Sequence, residues 1–271
     1  MSLADLLRVA PGSTPDLTAI DPAGTPGFDG DKDAARDRLK ELRDELADFQ
    51  ERLWAEARQS LLIVLQALDA GGKDGLIRKV VTAFNPQGTR VASFGVPTDE
   101  ELRHDYLWRV HAATPGKGRI AVFNRSHYED VLVVRVNELV PEPVWRERYD
   151  QINAFEAHLA ATGTRIVKLY LHISRDEQRR RFQKRLENPD KHWKWSSGDL
   201  ETRSRWDDFQ AAYTDALTRC STAAAPWFVV PADAKWYRDL AAAEILAETA
   251  RSMDPHWPEP EEDLSGIVIP E

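Results

Sequence analysis

The chain has 271 residues, 42% of them hydrophobic and 30% charged, with a formal net charge of −9. That is enough apolar material for one large α/β domain with a soluble exterior, and the acidic balance argues against general nucleic-acid binding. The apolar runs at 61–65 and 131–134 are too short to span a bilayer, and the lone Cys220 excludes an intramolecular disulfide and fits a reducing cytoplasm.

No basic segment followed by an apolar run opens the chain, so no signal peptide is expected. The seven histidines lack zinc-ligand spacing. Residues 1–31, rich in Pro, Gly and Asp, predict an extended N-terminal arm over the surface. From 32 to 60 the pattern is helical, with Leu39, Leu42, Leu46, Phe49 and Leu53 at helical spacing. The run 61–65 predicts a strand buried on both faces; it leads through Ala70-Gly71-Gly72 into a helix over 73–84. A strand at 90–94, a polar helix over 98–112, a turn at 115–118 and a strand at 120–123 follow. Next come a helix over 143–161, a strand at 165–173, helices over 176–187 and 199–220, a strand at 227–230 and a helix over 235–253. A Pro/Glu-rich tail, 255–271, closes the chain. Alternating strands and helices predict an α/β fold, a parallel sheet of about five strands covered on both faces. No internal repeat or linker divides residues 32–254.

Gln66-Ala67-Leu68-Asp69-Ala70-Gly71-Gly72-Lys73-Asp74-Gly75 lies between the first strand and its helix. Such a loop presents backbone N–H groups to phosphate oxygens, small residues allow close approach, and Lys73 adds a mobile charge. The P-loop pattern is matched imperfectly: Ala67 stands for the first glycine and Asp74 for the usual Ser/Thr. An ordinary glycine turn carrying a surface lysine is the alternative. Asp69 among phosphates makes sense if a Mg²⁺ lies between, or if the carboxylate orients or deprotonates an attacking oxygen; an Asx-type turn is its structural alternative.

Asn124-Arg125-Ser126-His127-Tyr128-Glu129-Asp130 begins where the strand 120–123 ends, and ligands of parallel sheets sit beyond such ends. Arg125 offers a planar fork suited to phosphate. Glu129 and Asp130 either bind metal or start a helix, and His127 reads as a packed histidine. A third feature runs from Arg175 through Arg179, Arg180, Arg181, Lys184 and Arg185 to Lys191 and Lys194. Residues 165–205 hold twelve Lys/Arg against six Asp/Glu, a balance of +6 in an acidic chain. Arg181 and Arg185 share one helix face. A lid over 174–205 carrying two or three phosphate-facing cations is expected, with a merely solvated basic helix as the alternative.

In this order the three motifs, together with Arg181-Phe182, Lys191-His192-Trp193-Lys194 and Ala225-Pro226-Trp227-Phe228-Val229-Val230-Pro231-Ala232-Asp233, resemble the type-2 polyphosphate kinase family from about residue 50 to 246. The resemblance implies a P-loop kinase-like three-layer sandwich with a helical lid. It implies inorganic polyphosphate and the nucleotides AMP, ADP and ATP as partners, with Mg²⁺ (Mn²⁺ as a substitute), and neither nucleic acid nor membrane. A cytoplasmic homo-oligomer is expected. Asp69, Lys73 and Arg125 match catalytic or phosphate-binding positions, Asp69 also as metal ligand, and Arg181 and Arg185 lie where lid arginines are expected. Ala70, Gly71, Gly72, Asp74, Gly75, Asn124, Glu129, Arg175, Lys191 and Lys194 are expected to bind substrate. Asn124, where many members have Asp, resembles the class acting on both AMP and ADP, and is a weaker metal ligand. An ATP-dependent nucleoside monophosphate kinase and a non-catalytic polyanion-binding module are the competing readings.

Overall fold

A strand apolar at every position from Leu61 to Leu65 is stable only with both faces covered, and the chain covers it with helices on either side. The computed structural model describes residues 1–265 and 267–270. In chain order its elements are α1 (Leu3–Leu7), α2 (Lys32–Glu56), β1 (Ser60–Gln66), α3 (Lys73–Lys79), β2 (Thr89–Ser93), α4 (Trp108–His111), β3 (Ile120–Asn124), α5 (Val133–Val136), α6 (Glu142–Ala161), β4 (Thr164–His172), α7 (Arg175–Leu186), α8 (Gly198–Ser204), α9 (Trp206–Cys220), β5 (Trp227–Pro231) and α10 (Lys235–Met253). The strands form one five-stranded parallel sheet in the order β2-β3-β1-β4-β5.

Side chains alternate along β1. Leu61, Ile63 and Leu65 join Leu42, Leu46 and Phe49 of α2 and Leu240 and Leu246 of α10 in one core layer. Leu62 and Val64 join Ile152 and Leu159 of α6 and Phe209 and Leu217 of α9 in the other. With β1 in the centre, the chain passes first to β2 and β3 on one side, then to β4 and β5 on the other. The strand order therefore switches at β1, where a parallel sheet opens a crevice for ligands. The register pairs Leu65 with Asn124, so the chain leaves β1 and β3 side by side.

Three predicted helices are reshaped, and the one expected over 73–84 ends at Lys79, with Val81–Ala83 a separate 3-10 turn. The helix expected over 98–112 is instead a 3-10 turn, Glu101–Arg103, and the short α4. Thr98 and Glu101 cap one another reciprocally, and then Asp105 accepts the N–H of Leu107 at 2.9 Å, starting a second helix where the first would have continued. The helix expected over 199–220 breaks at Arg205, which separates α8 from α9. In the first 31 residues, α1 packs on α10, Arg8 bridges Phe228 antiparallel, and Leu7 and Val9 are buried.

A cluster of charged and polar side chains around Glu156 lies wholly inside. Lys168 of β4 donates from Nζ to Glu156 Oε2 of α6 (2.5 Å), to the Tyr128 hydroxyl (2.8 Å) and to the carbonyl of Cys220 (2.6 Å). The other oxygen of Glu156 accepts from Tyr128 at 2.9 Å and pairs with His127 Nε2 at 3.1 Å. Burial opposes the charge on Glu156, but Lys168 and His127 hold its pKa below the ordinary value. The network fixes the turn His127–Asp130 two residues beyond Arg125. Lys168→Met strands a buried carboxylate and should lower the unfolding free energy by about 3–5 kcal/mol. Urea denaturation measures this; a loss below about 1 kcal/mol would show that the pair contributes little.

Candidate active site

The loop from Ala67 to Gly72 has every carbonyl oxygen occupied from within the protein. Lys73 Nζ donates to Ala67 O (2.8 Å) and the Gly71 N–H to Leu68 O (2.9 Å). Gln178 Nε2 donates to Asp69 O at 2.9 Å. Arg181 Nη1 reaches Ala70 O at 2.9 Å and Gly71 O at 3.1 Å, and the Leu76 N–H closes on Gly72 O at 3.0 Å. Among the described residues, none accepts from the N–H groups of Asp69, Ala70, Gly72, Lys73, Asp74 or Gly75. A loop with its acceptors engaged and its donors open is built for an anion. Glycine is required within it: a Cβ on Gly71 would lie 2.8 Å from Leu68 O, and Gly72 has φ +111°.

Charge converges on the same place. Lys73 is buried, and burial, followed by the neighbouring Arg125, lowers its pKa to about 8. Arg125 takes a left-handed backbone, φ +63°, while its N–H bonds Leu65 O at 3.1 Å. Its guanidinium donates to Asp69 Oδ1 at 2.7 Å and lies 3.5 Å from Glu129. Burial opposes that charge, and Glu129 and Asp69 more than offset the effect, raising the pKa. A bulky residue held at positive φ beside a ligand loop is strain of the kind found at functional sites.

Asp74 links three segments: Asn124 Nδ2 donates to one of its oxygens (3.1 Å) and Lys194 Nζ to the other (3.0 Å). Burial works against its ionisation, yet these two donors carry the pKa below the usual carboxylate value. The 3-10 segment Pro189–Lys194 thereby reaches from the end of α7 back to the loop. Arg185 steadies it, donating to Lys194 O (3.1 Å) and to Asp199 Oδ2 of α8 (2.7 Å). Burial, then Asp69, raises the pKa of Asp199.

The structure thus brings together Asp69, Ala70, Gly71, Gly72, Lys73, Asp74, Gly75, Asn124, Arg125, Glu129, Arg181, Arg185 and Lys194. Arg175 and Lys191 are exposed, and their side chains make no hydrogen bond or ion pair to the loop among the described residues. Arg181 faces the protein. Besides Ala70 and Gly71 it binds Glu177 Oε1 (2.7 Å), Ala232 O (2.6 Å) and Asp233 O (3.1 Å), so its N–H groups fasten the loop to the end of β5. Asp233 in turn accepts from the N–H and hydroxyl of Ser174 (2.8 and 2.6 Å), which caps α7. Sequence reasoning passed over Gln178, Asp199 and Asp233. The signal available for Gln178 is its position three residues before Arg181 on one helix face. Asp130, unlike Glu129, turns away to Arg148 (2.8 Å), and burial raises its pKa to about 6. His127 is packed, as its surroundings in the Glu156 network require. Among the described residues no cluster of three or more His, Cys, Asp or Glu side chains is arranged for a metal ion, and no helix is long and apolar enough to cross a membrane.

A parallel sheet in this order, with a lysine-bearing loop after its central strand and arginine-rich helices beside it, defines a P-loop kinase-like phosphotransferase. The chain belongs to the polyphosphate kinase 2 (PPK2) family, whose model matches residues 29–258. It is 53% identical over 262 residues to the AMP/ADP-polyphosphate phosphotransferase of Meiothermus ruber, covering 97% of this chain and 98% of that one. Identity to the ADP-polyphosphate phosphotransferase of Rhodopseudomonas palustris is 44% over 268 residues, covering 93% and 91%. The crystal structure of polyphosphate kinase 2 from Arthrobacter aurescens TC1 matches with a TM-score of 0.94 at 43% identity, covering 98% of this chain and 94% of that one.

The Lys73 pKa has a measurable consequence. A bound phosphate chain favours the charged amine, so affinity should be full below pH 8 and fall as pH rises through it, with proton uptake on binding. Titration calorimetry with tripolyphosphate between about pH 7 and 9.5 reads this, and Lys73→Arg, charged throughout, should flatten the profile. A parent profile already flat over that range would contradict it.

Proposed function

We propose that the chain transfers the terminal phosphoryl group of inorganic polyphosphate to AMP and ADP, making ADP and ATP. The observation that carries this is the loop 67–75, its carbonyls occupied from Ala67 to Gly72 and the N–H groups of Asp69, Ala70, Gly72, Lys73, Asp74 and Gly75 open, with Lys73 and Arg125 beside it. The acceptor's phosphate oxygen attacks the terminal phosphorus, the bridging P–O bond breaks, and the polyphosphate leaves one unit shorter. Charge in such a transfer spreads over several oxygens, and preorganised donors stabilise it without reorganisation. Lys73 and Arg125 supply positive charge held in place beside the loop, while Arg181 holds the loop in shape. Asn124 directs its amide to Asp74 and leaves the acceptor's phosphates with one fewer negative neighbour, which suits both mono- and diphosphates.

Asp69 and Asp74 are carboxylates at the loop, oxygen donors of the kind a hard cation takes, and to hold one Asp69 would exchange Arg125, and Asp74 would exchange Asn124 and Lys194, for the ion. Mg²⁺ held there would neutralise charge on the phosphates. The similarity to enzymes named for AMP/ADP and polyphosphate supports the choice of substrates, and a cytoplasmic, homo-oligomeric enzyme is part of the same reading.

Incubating the protein with Mg²⁺, AMP and polyphosphate should yield ADP and ATP. Products from ATP plus AMP, with none from polyphosphate, would overturn the reading in favour of a nucleoside monophosphate kinase. Asp69→Asn, nearly isosteric, should fold normally and lose turnover on the order of 100-fold. Arg180, which is mostly exposed and pairs with Glu177, should by contrast be replaceable by alanine with less than about a twofold effect.

A further inference from the structure

Arg238 stands in the first turn of α10, directly after β5, and is buried to 2% exposure. Its Nε and Nη2 both donate to one oxygen of the adjacent Asp239, at 2.9 and 2.5 Å. Its Nη1 has no acceptor among the described residues. The guanidinium is packed against the glycines of the loop. A Cβ on Gly72 would collide with Nη1 and lie 3.2 Å from Cζ, and a Cβ on Gly75 would meet Nη2 at 3.1 Å. Gly72 needs its glycine for backbone reasons as well, through its positive φ. Gly75 lies inside α3, where alanine is intrinsically favoured, so the close approach of Arg238 gives the physical reason for glycine there.

A second cation comes to the same spot, since Arg181 Nη1 lies 3.5 Å from the position of a Gly72 Cβ. Lys235, one turn before Arg238, has its pKa lowered by burial and then by Arg181 and Arg238. The single carboxylate paired with Arg238 is itself held above its ordinary pKa by burial. Arg181 uses its N–H groups on protein acceptors, whereas Arg238 keeps one nitrogen free beside the loop.

We infer that Arg238 is a positioning residue for phosphoryl transfer: it fixes where Gly72 and Gly75 lie and supports, through that backbone, the charge of the phosphate chain the loop holds. The inference rests on the polyphosphate reading above. In the low-dielectric interior a fixed cation so close to the loop acts strongly on an anion bound there.

The test compares the parent with Arg238→Lys and with the double variant Arg238→Met/Asp239→Asn, which leaves no unpaired buried charge. Melting temperature, kcat, KM for polyphosphate and for AMP, and calorimetric affinity for tripolyphosphate are measured for each. The double variant should melt near the parent, yet lose kcat/KM for polyphosphate on the order of tenfold or more, with KM for AMP within about twofold. Its tripolyphosphate affinity should fall in step, and Arg238→Lys, keeping the charge but not the fork, should recover part of both. A folded double variant with the parent's polyphosphate kinetics and tripolyphosphate affinity overturns the inference. So does a loss that merely follows the folded fraction. A parent that leaves polyphosphate untouched sinks the proposed activity instead, and the binding measurement still decides the role of Arg238.

Discussion

A backbone loop can hold phosphates by its N–H groups only if its carbonyl oxygens are turned away and occupied. From Ala67 to Gly72 this condition is met one carbonyl at a time, by Lys73, the Gly71 N–H, Gln178, Arg181 twice, and Leu76. Two of those donors belong to α7, more than a hundred residues further along the chain. Arg181 also seizes Ala232 and Asp233 at the end of β5, and Asp233 caps the start of α7 through Ser174. The ends of β1 and β5 and the beginning of α7 are therefore one hydrogen-bonded unit. The sheet order makes it possible, because β4 lies between β1 and β5 and delivers α7 directly above them.

The same region balances its own charge. Asp69 pairs with Arg125, Asp74 with Lys194, and Asp199 with Arg185. Arg125, Lys194 and Arg185 are thus held in place by carboxylates, and in the proposed function an arriving polyanion would exchange those partners for phosphate oxygens. Lys73 is the exception: its amine holds a carbonyl of its own loop, and burial favours its neutral form. In the proposed function a bound phosphate chain would favour the charged amine, which would couple this one lysine to pH near and above its pKa of about 8.

Much of this was legible in the sequence because it depends on local pattern. The five expected strands are all present, and a run such as Leu61–Leu65 is legible because it has no other stable burial. The glycine-rich segment after the first of them, carrying Lys73, and Asn124-Arg125 after the third, lie side by side because parallel strands end on one edge. Where reading failed, competing local chemistry won: Asp105 caps a new helix where periodicity continued the old one. The finer roles were illegible for another reason. Helical spacing correctly puts Arg181 and Arg185 on one face, but it cannot say that Arg181 meets the carbonyls of Ala70 and Ala232 while Arg185 meets Asp199. The partners of Arg181 arrive through the sheet order, and Asp199 arrives through the turn back to α8. Lys168, a lone cation in an apolar strand, finds Glu156 and Tyr128 in the same long-range way.

The most direct measurement is a crystal structure of the protein with tripolyphosphate bound in the absence of nucleotide. Phosphate oxygens should lie about 3 Å from the N–H groups of Ala70, Gly72, Lys73 and Asp74 and from the Lys73 amine, with Arg181 still on the carbonyls of Ala70 and Gly71. Phosphates strung only along the exposed Arg175, Arg179 and Lys191, with the loop N–H groups unbound, would contradict the central claim.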